Sequence, residues 1–270
     1  MLEDISSLRA VAVTALFLVL AGLESIRPAL TLSGDLGARW VSHIGLYALN
    51  IFLAFGLGAI GLSGLNPAIL ADSLHLFSAL AAGWPIWAQI LCAVLALDLF
   101  AYGTHRLFHR VPLLWVLHGV HHADADMDAT TSFRHHPGEV GAMALCGLVF
   151  SLVLGIPAVF WALYALLAQA IALAHHANLR LPETLDRVLR ILLVTPGMHR
   201  HHHAVARAIH DRNYGSLLSV WDRIFATYHT SSATERDSQP VGLEGLGGPA
   251  DQRLDGALLM PLRLFSRNSP

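Results

Sequence analysis

The sequence predicts an all-α fold in which about four helices cross a membrane; two observations support this prediction, and a third, the abundance of histidine, points to a metal site. Apolar residues make up 54% of the 270 residues, while charged residues make up 13%, about half the ~25% of a typical soluble domain. Four stretches are apolar over about the 20 residues that a spanning helix needs. Histidine is enriched to 17 residues. With a net charge of −2, this composition excludes an ordinary soluble enzyme, a disordered chain and a nucleic-acid binder.

The first three apolar stretches are interpreted as single spans. The first covers residues 7–25 and ends before Arg27 and Pro28; its acidic start favours a membrane helix over a cleaved signal peptide. The second covers residues 41–62, and the third follows Pro85 and runs to residue 104. Each has the length of one membrane-spanning helix.

The fourth apolar stretch, residues 140–174, is too long for one span and contains no polar turn. Gly155, Ile156 and Pro157 interrupt it, and a proline inside a helical pattern ends or starts a helix. The sequence therefore predicts a tight helical hairpin that enters and leaves on the same side of the membrane.

The distribution of arginine orients these elements. The loop at residues 63–84 contains no arginine, whereas the segments after the third span contain several. By the positive-inside tendency, the arginine-rich side is cytoplasmic. We divide the chain into N-terminal transmembrane helices (1–104), a histidine-box catalytic region that includes the membrane hairpin 140–174 (105–239), and a Gly/Pro linker with a C-terminal tail (240–270). The tail is expected either on the membrane surface or packed under the histidine-rich region.

Three histidine clusters share helical spacing. One has two histidines at positions i and i+4, and the other two have three each at i, i+3 and i+4, which places the side chains on one helix face. Their members are His105 and His109; His118, His121 and His122; and His199, His202 and His203. Such spacing is what several ligands converging on a metal ion require. The alternative is a solvated histidine-rich surface.

Two histidine doublets, His135-His136 and His175-His176, add further candidate ligands. Eight to ten imidazoles exceed the needs of one ion, so the sequence predicts two. The absence of nearby cysteine excludes a thiolate zinc site, but imidazole binds Fe, Zn, Cu and Ni alike.

The order of these motifs resembles the fatty acid hydroxylase / sterol desaturase superfamily of integral-membrane non-haem di-iron oxygenases. The shared order is H-x-x-x-H, H-x-x-H-H, R-x-H-P-x-E, H-x-N and H-x-x-H-H, with supporting context in Thr195-Pro196, Asn213-Tyr214-Gly215 and Trp221-Asp222. The resemblance implies membrane helices beneath a cytosolic histidine-lined helical cap. It also implies two Fe ions and O₂, a lipid substrate that is hydroxylated or desaturated, and a separate electron donor of the cytochrome b5, ferredoxin or reductase type. The ligands it implies are His105, His109, His118, His121, His122, His136, His176, His199, His202 and His203, with a local exchange within the pairs 135/136, 175/176 and 201/202 left open.

Several carboxylates and isolated histidines receive separate predictions. Asp98 lies seven residues before His105 on the same helix face, so it is predicted to accept the ring N–H of a ligand histidine; a hydrogen bond to a neighbouring helix is the alternative. Glu139 is expected to pair with Arg134 or to cap the next helix. Asp124, Asp126 and Asp128 are expected to be solvated. His43 and His75 are assigned to the opposite membrane half or its loops, and His210 and His229 follow the last motif; all four are expected to be interface or surface histidines without a catalytic role.

Two other function classes remain open at this point. A membrane metal or haem carrier would place histidines within the spans along a path. A di-zinc membrane hydrolase would need a water-activating carboxylate near its ligands. The sequence does not identify the lipid, nor choose hydroxylation over desaturation.

Overall fold

The structure is a computed structural model, and it describes residues 2–59, 74–230 and 239–268. These residues form helices joined by loops. The helices are α1 (Leu2–Ile26), α2 (Leu36–Ala59), α3 (Leu76–Leu80), α4 (Ile86–Arg110), α5 (Pro112–His122), a 3-10 helix (Ala129–Phe133), α6 (Pro137–Leu154), α7 (Ala158–His176), α8 (Glu183–Leu189), α9 (Pro196–His202), α10 (Arg207–His210), α11 (Val220–Ile224) and α12 (Leu254–Asn268). The prediction of an all-α fold is confirmed.

Four of these helices, α2, α4, α6 and α7, are long and apolar enough to cross a membrane, and α1 contains a shorter apolar segment, Ala10–Ile26. The prediction of about four spanning helices is therefore confirmed. The end of the predicted second span and the first half of the predicted loop 63–84 lie outside the described residues.

The predicted hairpin is formed by α6 and α7. Helix α6 ends at Gly155, whose φ of 62° places it in the left-handed region that glycine adopts without steric cost. Pro157 is the N-cap of α7. The two helices have 18 and 19 residues, which at about 1.5 Å per residue matches a hydrocarbon core of about 30 Å.

Helix α4 continues beyond the apolar segment that ends at residue 104. Its last turns carry His105 and His109 to Arg110, as the spacing predicts. On its other face, Ala93 and Leu97 pack with Ile156 and Phe160 of the hairpin. This packing holds α4 against the hairpin and so fixes the axis of the helix that carries the first histidine motif.

The C-terminal helix α12 packs against α5 and α2 through Ala257, Met260 and Leu264. On its opposite face Leu262 and Phe265 are exposed. The tail therefore packs under the histidine-rich region, one of the two predicted placements.

The three aspartates that follow the second histidine motif are buried, so their predicted solvation is wrong. Arg39 of α2 bonds Asp124 and Asp128, each at 2.9 Å, and Asp126 accepts hydrogen bonds from Ser33 and Gly34. Burial alone would raise the pKa of Asp124, but the Arg39 charge outweighs it and holds that pKa well below its usual range. The network joins the start of α2 to the loop after α5.

His43 belongs to the same end of the molecule. Its ring is fully buried, with Nδ1 2.8 Å from the Thr130 hydroxyl and Nε2 3.2 Å from the Arg134 guanidinium. The predicted position of His43 in the opposite membrane half is therefore wrong, because α2 begins rather than ends on the side of the histidine clusters.

Candidate metal centre

Three helices present the histidine motifs with the predicted spacing. The first motif lies in the last turns of α4, the second in the last turns of α5, and the third on α9. Prolines at the first turn start α5 and α9, a position where the missing N–H is not needed. The Thr195 side chain caps α9 by accepting a hydrogen bond from the Met198 amide.

Five imidazoles from these three helices form a first cluster. One ring nitrogen of each lies within 4.8 Å of one from every other member: His105, His109, His118, His122 and His202. The side chains converge because α4, α5 and α9 bring their motifs to one buried point.

Hydrogen bonds on the outer ring nitrogens orient four members of the first cluster. The Nδ1 of His105 donates to the Tyr214 carbonyl at 2.9 Å, and the Nδ1 of His202 donates to the Arg212 carbonyl at 2.7 Å. Because a carbonyl only accepts, Nδ1 carries the hydrogen and Nε2 keeps its lone pair.

Carboxylates orient two other rings of the first cluster. The Nδ1 of His118 bonds Glu139 at 2.7 Å and that of His109 bonds Asp211 at 3.3 Å. The Nε2 atoms of both rings are buried without a hydrogen-bond partner among the described residues. A carboxylate or carbonyl on the outer nitrogen is the usual arrangement around a metal-binding histidine.

The inner nitrogens have the spacing of ligands that share one ion. The Nε2 atoms of His105 and His202 are 2.9 Å apart, yet both carry lone pairs, which repel at that distance unless a cation lies between them. Two ligands each about 2.0–2.1 Å from a metal are separated by a comparable distance. The first cluster therefore fits a metal ion.

A second cluster contains His121, His176, His199 and His203, whose ligand atoms also lie within 4.8 Å of one another. The Nδ1 of His176 donates to the Ala172 carbonyl at 2.8 Å. Its Nε2 lies 3.2 Å from that of His121 and 3.0 Å from that of His199. The Nε2 atoms of His199 and His203 are 3.2 Å apart. Four imidazoles of this geometry can hold a second ion.

The two clusters are adjacent, because the rings of His122 and His203 stack with centroids 4.4 Å apart. Burial, followed by the neighbouring histidines, holds the pKa of His121, His122, His199, His202 and His203 well below the usual value. These rings are therefore neutral at pH 7, the form that binds a metal.

Nine of the ten predicted ligands lie in the two clusters, and His136 does not. His136 is the N-cap of α6, where its Nδ1 accepts a hydrogen bond from the Gly138 amide. Its Nε2 donates to the Leu258 carbonyl at 3.3 Å. Both nitrogens are therefore engaged, and neither offers a lone pair to a metal.

In the pairs 135/136, 175/176 and 201/202, the sequence leaves open which histidine is the ligand. The His135 ring stacks on His121 with centroids 4.4 Å apart, and its Nδ1 donates to Glu139 at 3.0 Å. His175 lies beside His199, with ring centroids 3.9 Å apart. His201 stacks on His229 outside the two clusters. The geometry thus favours His176 and His202, and within the first doublet it favours His135.

Glu139 bonds two histidines rather than Arg134, so the predicted pairing with Arg134 is wrong; Glu139 does lie in the first turn of α6, but the N-cap of that helix is His136. Arg134 instead donates to the carbonyls of Val120 and Asp251. The sequence did not identify Arg39, Asp211 or the two carbonyl acceptors of the first cluster, although the Asn213-Tyr214-Gly215 motif marks the segment that supplies both carbonyls.

Asp98 does not accept a histidine N–H. It accepts hydrogen bonds from the Tyr164 hydroxyl on α7, the amides of Leu217 and Leu218, and the Trp221 indole, all at 2.9–3.0 Å. The Tyr164 bond corresponds to the alternative of a hydrogen bond to a neighbouring helix. The other three fix one end of a segment whose other end orients His105 and His202.

Asp222 and Gly215 stabilise the same segment, which carries the carbonyls that orient His105 and His202. The Asp222 carboxylate accepts hydrogen bonds from the amides of Tyr214 and Gly215, both at 2.8 Å. A Cβ at Gly215 would lie 2.6 Å from the Leu218 carbonyl oxygen, so the close approach requires glycine.

A cavity of about 320 Å³ opens beside both clusters. His105 and His118 of the first cluster and His121, His176 and His199 of the second line one side of it. Ala101, Phe108, Val140, Met143 and Ala172 supply an apolar wall. The volume lies in the range of small-molecule sites. An apolar group placed in this cavity would therefore lie against the histidines.

Fold and site together define a multi-pass membrane protein that carries two adjacent all-imidazole clusters able to hold metal ions beside an apolar cavity. The family model described as "Fatty acid hydroxylase" matches residues 90–227, and the chain belongs to this family. That range contains every histidine of both clusters.

The chain is also similar to several known lipid-modifying proteins. It is 26% identical over 162 residues to the ornithine lipid hydroxylase OlsE of Rhizobium tropici, and 29% identical over 143 residues to the alkylglycerol monooxygenase of Homo sapiens. It is 25% identical over 145 residues to a cholesterol 25-hydroxylase-like protein of Danio rerio. These alignments cover 60%, 52% and 53% of this chain, and 47%, 30% and 56% of the three relatives. No solved structure matches the chain.

Proposed function

We propose that this protein is a membrane-bound, O₂-dependent di-iron oxidoreductase that hydroxylates a lipid. The observation that carries the proposal is the pair of adjacent imidazole clusters lining an apolar cavity at the end of membrane-spanning helices. The names of the relatives support it, because each is a hydroxylase or monooxygenase of a lipid or resembles one.

Nine histidines would hold the two ions. His105, His109, His118, His122 and His202 form one site, and His121, His176, His199 and His203 form the other. Bound iron would supply the redox change that O₂ activation and attack on an unactivated C–H bond require, which zinc lacks. Neutral imidazoles add no negative charge that would offset the charge of the ions.

The other residues of the site would orient ligands and hold the substrate. Glu139 fixes the rings of His118 and His135 through their Nδ1–H groups. Phe108 and Met143 line the cavity, exclude water and contact the hydrocarbon of the lipid. Insertion of one oxygen atom into a C–H bond leaves the second oxygen to be released as water, which takes two electrons and two protons from a separate donor.

The orientation and division of the chain form part of the same proposal. The excess of arginine on the side of the histidine clusters supports a cytoplasmic site, where a cytochrome b5, ferredoxin or reductase can deliver electrons. Residues 1–104 would act as membrane helices, residues 105–239 as the catalytic region, and residues 240–270 as a linker and packed tail.

The deciding experiment is lipid mass spectrometry of cells with and without the gene, combined with metal analysis of the purified protein. A lipid with a mass gain of one oxygen and about two iron atoms per chain are expected. Loss of two hydrogens instead would indicate desaturation. Full lipid oxidation by protein that holds zinc alone would contradict the proposal. Zinc-dependent activity that forms no oxidised lipid would favour a hydrolase. Tightly held metal or haem without any lipid product would favour a carrier.

A further inference from the structure

A separate pocket of about 350 Å³ lies at the end of α4. Its walls come from the last turns of α4, the segment 207–212 and the loop 225–227. Among the described residues, none that lines this pocket also lines the cavity beside the two histidine clusters. A ligand bound here is therefore distinct from a molecule that lies against the histidines.

Positive charge dominates this pocket, which we call the arginine pocket. The charged residues that line it in the described structure are four arginines and one carboxylate: Arg106, Arg110, Arg207, Arg212 and Asp211. Asp211 also lies 3.3 Å from His109 and 3.9 Å from His210, but an imidazole is neutral or positive and cannot offset an arginine. The four guanidinium groups therefore repel one another unless an anion lies among them.

The arginines retain donors for such an anion. Within the described part of the chain, no hydrogen bond or ion pair engages Arg106 or Arg110. Arg207 bonds Asp211 at 3.3 Å, and Arg212 donates to the Ala226 carbonyl at 3.2 Å. Guanidinium groups bind phosphate through paired, charge-assisted hydrogen bonds, and the volume of the pocket suits a small ligand group. The arginine pocket therefore fits a phosphate group.

The position of the pocket along α4 favours a phosphate that belongs to a lipid. A hydrocarbon core of about 30 Å takes about 20 helical residues, so a span that begins at Ile86 ends close to His105. Arg106 and Arg110 follow directly, at the height of the lipid head groups. Phe225, an exposed aromatic side chain, lines the same pocket and can lie along an acyl chain.

We propose that the arginine pocket binds the phosphate group of an anionic lipid. The bound phosphate joins α4 to the segment 207–212, because each of them supplies two of the four arginines. That segment also carries the Asp211 carboxylate and the Arg212 carbonyl, which orient His109 and His202. The lipid thus holds together two elements on which the first histidine cluster depends.

Native mass spectrometry of the purified protein in neutral detergent tests this inference without turnover. The probes are phosphatidylglycerol and phosphatidylcholine with identical acyl chains, of which only the first carries a net charge. We expect the protein to retain phosphatidylglycerol about ten-fold more tightly, and equal retention of the two lipids would overturn the inference. Inorganic phosphate at the same concentration should displace little of the lipid, whereas complete displacement would assign the pocket to a free anion instead.

Variants locate the binding. The double variant Arg106→Gln, Arg110→Gln should lose the preference for phosphatidylglycerol about ten-fold, and Arg207→Gln, on the other element, about three-fold. The matched control is Arg187→Gln, Arg253→Gln, because both arginines pair with their own carboxylates and neither lines the pocket. An equal preference in the double variant and the control would overturn the inference. Weaker binding of polyglutamate to that double variant would then assign the arginines to an acidic protein partner.

Thermal stability separates a lipid site from a merely structural role of the arginines. Phosphatidylglycerol should raise the thermal midpoint of the wild-type protein by several degrees relative to phosphatidylcholine, because a ligand that binds the folded state stabilises it. In the double variant this gain should disappear, while the midpoint in phosphatidylcholine should equal or exceed that of the wild type, because fewer like charges face one another. A lower midpoint of the double variant in both lipids, with the gain retained, would overturn the inference.

Discussion

The two histidine clusters differ in how firmly the protein orients their rings. In the first cluster, four outer nitrogens bond acceptors: the carbonyls of Tyr214 and Arg212 and the carboxylates of Glu139 and Asp211. In the second cluster, within the described part of the chain, only His176 has such a bond, to the Ala172 carbonyl. The Nδ1 atoms of the other three rings are buried without partners among the described residues.

The clusters also differ in their relation to the cavity. Three of the four rings of the second cluster line it, against two of the five in the first. Acceptors on the outer nitrogens raise the affinity of histidine for a metal. We therefore expect the first cluster to bind its metal ion more tightly, and the second cluster, which faces the cavity, to bind its ion more weakly.

The largest effect is expected when either cluster loses a ligand. His202→Ala in the first cluster and His199→Ala in the second should each abolish lipid oxidation and remove about one metal ion per chain, because a buried ligand position cannot be replaced by water at equal affinity. Metal analysis and product quantification measure both effects. His229→Ala is the control, since His229 lies outside both clusters; a comparable loss in this variant would undermine the assignment.

A smaller loss is expected when a ring keeps its place but loses its acceptor charge. Glu139→Gln retains the size of the side chain that holds His118 and His135, yet removes its charge. Metal affinity or turnover should fall about 10–100-fold, the usual cost of such a loss. Glu183→Gln, which alters a partly exposed carboxylate bonded to Arg190, should change neither. If Glu139→Gln changed metal affinity and turnover no more than Glu183→Gln, Glu139 would have no role in orienting the ligand histidines.

The spans and the histidine motifs could be predicted because each depends on local pattern. Apolar length determines which helices can cross a membrane, and i, i+3 and i+4 spacing places the rings of His118, His121 and His122 on one face of α5. Gly155 and Pro157 similarly mark the turn of the hairpin. These features need no knowledge of which helices become neighbours.

The errors concern partners that are distant in the chain. Asp124 lies in a polar stretch, so the sequence suggests solvation, but Arg39, 85 residues earlier, buries it through an ion pair. The choice between His135 and His136, which the sequence leaves open, also depends on a distant group, because the Leu258 carbonyl, 122 residues away, accepts a hydrogen bond from His136. Local patterns do not encode such tertiary contacts.

The difference between the clusters predicts two phases of metal release. During treatment with a chelator at neutral pH, the ion of the second cluster should leave about ten-fold faster than that of the first, because its ligands have fewer supporting acceptors. Metal content measured over time follows the two phases. His199→Ala should remove the fast phase and leave the slow one, whereas a single phase in the wild-type protein would contradict the difference between the sites.

The smallest effect on metal content is expected at Asp98, which supports the first cluster only through an intervening segment. Asp98→Asn replaces one carboxylate oxygen with an NH₂ group. This group cannot accept the hydrogen bonds that the Leu218 amide and the Trp221 indole now donate to the carboxylate. Hydrogen bonds to a charged group contribute about 1.5–3 kcal/mol each, so the thermal midpoint should fall by several degrees. Metal content should stay within about two-fold of wild type at temperatures where the protein is folded, because no histidine bonds Asp98.

Asp255→Asn, at an exposed carboxylate bonded to Arg253, should leave both the thermal midpoint and the metal content unchanged. Loss of metal from folded Asp98→Asn protein would mean that the segment between Tyr214 and Leu218 transmits the defect to His105, and that the first cluster is less firmly built than its hydrogen bonds indicate.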